Sequence, residues 1–215
     1  MKALKSTYSL HFKDKSFVWS LVFSIVLLLV SLYISFYAGL YATRVASQPV
    51  TDIVLSNIRV YDIDWAFIYG PWIFWFLTSL LVIAKPSRIP FIIKNISLFV
   101  LVRSVFITLT HIGPFPTQEI IPATKLISDF TSGGDLFFSA HTGLPYLMAL
   151  IFWDEKVLRV VFILTAMFFG AVVLMGHLHY SIDVLSAFFI TYTIYHIAEI
   201  IFKKDKKYFE ETIKP

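Results

Sequence analysis

Six apolar stretches, each close to the ~20 residues that a helix needs to cross a bilayer, constrain this chain more than any other feature. They run about Phe17–Tyr37, Trp65–Ala84, Phe91–Thr110, Leu136–Trp153, Val157–Met175 and Ile182–Phe202. A helix satisfies its own backbone polar groups inside hydrocarbon, so the expected fold is an all-α integral membrane protein, a six-transmembrane-helix bundle. Composition agrees: 58% of residues are hydrophobic and 15% charged, against roughly 25% charged in soluble domains. The length of 215 residues suits one membrane domain, with a core over about 65–202 and basic tails at 1–16 and 203–215. The first run exceeds the ~7–15 residues of a secretory h-region and lacks an A-x-A-like site close behind it, so it reads as a retained span. With no cysteine in the chain, disulfides, zinc thiolates and a cysteine nucleophile are excluded.

Charge placement sets the expected orientation. With the N-terminus cytoplasmic, the inside segments hold Lys2, Lys5, Lys13, Lys15, Lys85, Arg88, Lys94, Lys156 and Arg159, and the tail adds Lys203, Lys204, Lys206, Lys207 and Lys214. Arg44, Arg59 and Lys125 fall outside, and Arg103 lies in the third span towards its outer end. Both termini are thus expected in the cytoplasm. Lys94 is read as snorkelling from near one end of its span, and the lysine-rich tail as a positive-inside anchor rather than a nucleic-acid site.

The same orientation gathers chemistry on the outer face. His179 and Asp183 are four residues apart at the start of the last span and share one helical face. A carboxylate beside an imidazole fixes its tautomer and readies the other ring nitrogen as nucleophile or base. His141 opens the fourth apolar run, on the same side. Arg103 is a candidate for bidentate phosphate binding, or for pairing with Asp135. Asp135 itself orients a substrate amine or hydroxyl, or caps the fourth helix. His111 and His196 read as interfacial hydrogen-bonding residues.

Two motifs carry a family resemblance. Gly133-Gly-Asp-Leu-Phe-Phe-Ser-Ala-His-Thr142 resembles the pattern C-G-D-x-x-x-S-G-H-T, and His179-Tyr-Ser-Ile-Asp-Val-Leu-Ser-Ala-Phe-Phe-Ile-Thr191 resembles H-Y-T-x-D-V-x-x-A-Y-x-x-T. Both belong to the sphingomyelin synthase branch of the type 2 phosphatidic acid phosphatase (PAP2) superfamily. Arg103, Thr108, Thr110 and Pro114 are similar to that branch's third-span segment. The resemblance implies His179 as nucleophile, Asp183 as its orienting acid and His141 as acid and base, with Ser139 and Tyr180 joining Arg103 and Asp135 in the substrate site. It implies a membrane phospholipid as donor and a lipid hydroxyl, or water, as acceptor, with no metal and no cofactor. Departures are present: Ala140 stands where the pattern has glycine, and Gly133 where it has cysteine. The phosphatase branch's S-R pair before the second histidine is missing from Gly170–Met175, and Lys85–Pro90 lacks the K-x6-R-P spacing. The expected activity is therefore head-group transfer between lipids. A lipid phosphatase is the first alternative, and a transporter or scaffold the second; a transporter is disfavoured because its ionisable groups belong near the midplane.

Overall fold

The computed structural model describes residue 8 and residues 11–118 and 136–211. Its helices are α1 (Lys15–Val45), α2 (Asp64–Ile83), α3 (Ile89–Leu109), α4 (Ala140–Ile151), α5 (Lys156–Met175), α6 (Ser181–Ile201) and α7 (Lys203–Glu211), with a 3-10 turn at Pro86–Arg88 leading into α3. Among the described residues, α1, α2, α3 with its leading turn, α5 and α6 are long and apolar enough to cross a membrane.

α1 is 31 residues long, about 46 Å, and starts where the Asp14 carboxylate accepts the Ser16 N–H. Its buried positions Phe17, Ser24, Ser31 and Ala38 recur every seventh residue, followed by Ala42. Small residues on one stripe let the backbone of α1 approach α3 closely, and Ala38 and Ala42 pack on Ile107 there. Ser24 and Ser31 return their hydroxyls to the Leu21 and Leu28 carbonyls, so the stripe carries no unmet donor. The remaining faces of α1 expose Trp19, Phe23, Leu29 and Tyr33, as a lipid-facing helix would.

The fourth apolar run folds differently from a plain span. Its helix, α4, has 12 residues, about 18 Å against the ~30 Å of a hydrocarbon core. It begins late because Phe137 and Phe138 hold positive φ, at 141° and 26°, which breaks helical geometry ahead of Ser139. The run still covers the height of α3. At one end the Leu136 carbonyl accepts the Thr110 hydroxyl at 3.0 Å, and at the other Phe152 lies under the Arg88 guanidinium. α4 packs on α3, α5 and α6. Gly143 allows a close crossing on α3 and α6: a Cβ there would lie 2.7 Å from the Phe99 ring and 2.9 Å from Thr191 Oγ1.

The end of the bundle far from His179 is closed by α7, and here the sequence reading needs correction. Lys94 does not snorkel. It is 5% exposed, and its ammonium donates to Asp205 Oδ2 at 2.6 Å and to the Ser20 hydroxyl at 2.7 Å. The reason is that the tail is amphipathic: Asp205 and Phe209, four apart, turn inward while Lys203, Lys204 and Lys207 face out. Phe209 packs on Phe91 and Phe152, and buried Arg88 pairs with Glu155 at 2.6 Å. His196, at this same end, pairs with Glu199 at 2.7 Å, far along α6 from its first turn.

Candidate active site

α5 ends at Met175, and the chain turns through Gly176 and His177 before α6 starts. His177 takes the left-handed φ of 52°, a conformation non-glycine residues rarely hold without tertiary support. The reversal brings His179, just ahead of the Tyr180 N-cap, beside Asp183 in the first turn of α6. Asp183 is fully buried, and its Oδ2 accepts both the Tyr180 backbone N–H and the His179 Nδ1–H, each at 3.1 Å. One oxygen therefore caps the helix and fixes the imidazole. With Nδ1 committed as donor, the lone pair of His179 resides on Nε2.

The same turn holds α4 in place. The Ser139 N–H donates to the Asp183 carbonyl at 3.1 Å, so His141 enters two residues beyond a point fixed to α6. The His141 ring stacks on Phe67 of α2, with centroids 4.4 Å apart, and meets the edge of Phe169 of α5. It lines a cavity of about 210 Å³ with Pro71, Phe74, Trp75 and Pro145. Ser139 is fully buried, and its Oγ, with Asp183 Oδ1 and Thr142 Oγ1, has no hydrogen-bond partner among the described residues. Buried polar atoms left in this state are uncommon and concentrate where function uses them. Arg103 Nε donates to the Phe138 carbonyl at 3.3 Å, which sets the half-buried guanidinium beside the strained residues ahead of Ser139. Asp135 lies outside the described residues.

Tyr180 has a different position from that of an open substrate contact. It is 1% exposed, its hydroxyl donates to the Gly113 carbonyl at 2.8 Å, and the Val50 N–H donates to it at 3.2 Å. The phenol thus joins the two loops that follow α1 and α3. Those loops also meet through Ser47 N–H to His111 O and Gly113 N–H to Gln48 O. Gly113 is obligatory in that crossing, since a Cβ would lie 2.1 Å from the Ser47 carbonyl oxygen.

Two residues at the site were not singled out from sequence. Asp52, on the loop after α1, receives the Val54 and Leu55 N–H groups on Oδ1, and the Ser181 N–H (2.7 Å) and hydroxyl (2.8 Å) on Oδ2. It caps α6 from 129 positions away. His177 is 2% exposed, with Nδ1 2.6 Å from Thr117 Oγ1 and its ring against Phe115. No local pattern marks Asp52, because its partner is supplied by the fold.

Burial pushes the Asp52 carboxyl up, but the four hydrogen bonds it accepts outweigh this and hold its pKa below the usual carboxylate value. A depressed folded pKa gives stability that is present above the unfolded carboxylate pKa and lost as pH falls through the folded one. Asp52→Asn should therefore destabilise the protein at neutral pH by about 1–3 kcal/mol and lower its melting midpoint, because the amide keeps only one of the two accepting oxygens. The gap to wild type should narrow on acidification; melting curves across pH check this, and a gap independent of pH would contradict the charge-based account.

Residues 132–200 match the family described as PAP2 superfamily C-terminal, a stretch that includes Ser139, His141, His179 and Asp183. Comparisons with curated proteins and with solved structures find no match. The chain is thus similar to the PAP2 superfamily over the segment that carries its buried histidine–aspartate pair.

Proposed function

We propose that this protein is a membrane lipid phosphotransferase of the sphingomyelin synthase-like kind, moving a phospho-head group from a glycerophospholipid to a lipid hydroxyl. The observation that carries the reading is the His179–Asp183 pair, buried and oriented, on a turn bonded directly to the helix that bears His141. Superfamily members are phosphatases and phosphotransferases, which supports an enzyme of that broad type.

His179 Nε2 attacks phosphorus, the P–O bond to diacylglycerol breaks, and protonated His141 gives its proton to the leaving oxygen. The acceptor hydroxyl then loses its proton to His141 and attacks phosphorus, and the P–N bond breaks to restore His179. Asp183 stabilises the imidazolium through Nδ1–H. Arg103 and Ser139 bind phosphate oxygens, and Asp135 contacts the head group or acceptor. Tyr180, which the resemblance gave as a substrate residue, acts by bracing the outer loops over the site. Both termini are cytoplasmic, and residues 136–152 make the sixth crossing: α4 supplies about 18 Å and the four residues before it up to ~13 Å. The site then faces outward, at the lipid–water boundary.

Purified protein supplied with a radiolabelled diester phospholipid should yield diacylglycerol, and a new phospholipid once a hydroxyl lipid is added. An acceptor bound and aligned has a large effective concentration, so hydrolysis should be the minor product. Phosphate release from phosphatidate with no diester cleavage under any acceptor would instead make the protein a lipid phosphatase. For orientation, single cysteines at exposed Ser56 and Lys156 separate the two faces. Position 56 should react with an impermeant maleimide on intact cells and position 156 only after permeabilisation. The reverse pattern would move the site to the cytoplasmic face.

A further inference from the structure

We infer that the groove between α2 and α5 holds one acyl chain of the substrate lipid and sets the chain length the enzyme accepts; this rests on the lipid-transfer reading above. α2 and α5 splay apart to leave an apolar groove of about 560 Å³, walled by Trp65, Leu77 and Leu81 on one side and Val161 and Phe168 on the other. From Trp65 to Leu81 it runs about 24 Å at the helical rise, longer than the ~15 Å depth of one leaflet's hydrocarbon. Phe74 and Phe169 line both this groove and the 210 Å³ cavity beneath His141. Phe74 and Phe169 thus form a shared wall between the groove and the cavity under the proposed catalytic histidine, a proximity that an ordinary lipid-facing crevice need not have.

That proximity favours a chain of the substrate lipid as the occupant. A lipid whose phosphate lies among His179, His141 and Arg103 must send its chains inward along the bundle, and this groove starts beside the histidine and faces the bilayer. Gly70 shapes the shared wall, since a Cβ there would meet Phe169 Cε1 at 2.6 Å. Its lining is almost wholly apolar, and one of its few hydroxyls, Thr165, donates to the Val161 carbonyl within α5. Such a surface suits saturated hydrocarbon rather than a head group. The deep end, at Leu77, Leu81 and Val161, can touch only the far part of a long chain.

The test compares kcat/KM for dioctanoyl and dipalmitoyl phosphatidylcholine and phosphatidylethanolamine. Val161→Trp or Leu77→Trp should lower the long-to-short ratio at least about tenfold, the scale of removing good pocket contact from a few methylenes. Leu164→Trp, on an exposed part of α5 outside the groove, should leave that ratio at its wild-type value. A folded Val161→Trp protein with an unchanged ratio would overturn the assignment. A second readout needs no turnover: phosphatidylcholine with a diazirine near one chain terminus, photolysed on His179→Ala protein, should label α2 and α5 peptides well above α1 peptides. Equal labelling of α1 and α5 faces would reduce the groove to general lipid contact. If wild-type protein processes no phospholipid, the transfer reading fails, and the photolabel alone decides the groove.

Discussion

His179→Ala is expected to lose turnover by at least about a thousandfold while the protein still elutes as a folded species from size exclusion. The nucleophile's removal leaves no group to form the P–N bond, so the loss should appear with every donor and acceptor. His141→Ala should cost about 10²–10⁴ in rate, the usual contribution of one positioned acid–base group. It should be partly relieved by donors with more acidic leaving groups, because these need no proton from His141. Asp183→Asn should retain measurable activity. Its amide oxygen can take the place of Oδ2 and accept both the Tyr180 N–H and the His179 ring N–H, but the negative charge that stabilises the imidazolium is lost. Near-normal rates in folded His179→Ala protein would remove the nucleophile from the mechanism.

The second large effect lies at the opposite end of the bundle. Lys94→Met should destabilise the protein by roughly 3–5 kcal/mol, because it leaves the buried Asp205 carboxylate without its cation. Removing both charges, as Lys94→Met with Asp205→Leu, should recover most of that loss, since the pair's Coulombic gain is largely spent on desolvation. Thermal midpoints in detergent distinguish the cases. A double variant as unstable as the single one would show that α7 is held by the specific Lys94–Ser20–Asp205 geometry and not by charge compensation.

The apolar run lengths made the helical membrane architecture legible, because hydrocarbon leaves few alternatives to a helix. The spacing of His179 and Asp183 pointed to a pair, and the two meet at 3.1 Å, but not on one helical face: His179 lies ahead of the Tyr180 N-cap, and the capping carboxylate reaches back to it. Other features depend on chain segments meeting at long range. Lys94 looked like a snorkelling residue because nothing near it in sequence announces Asp205, 111 positions on. The Asp52–Ser181 cap is hidden for the same reason. The fourth apolar run reads as one span by composition, yet α4 starts only at Ala140 because the backbone at Phe137 and Phe138 is bent to meet Arg103 and α6. Hydropathy is blind to that, since both residues are phenylalanine.

The stereochemical course at phosphorus tests the central claim most directly. With a donor made chiral at phosphorus by isotopic or sulfur substitution, two successive in-line displacements, first by His179 and then by the acceptor hydroxyl, give net retention of configuration in the product. Retention, lost together with all product in His179→Ala protein, is the result this account predicts. Inversion would mean that the acceptor attacks the donor directly, with His179 acting at most as a base, and would contradict it.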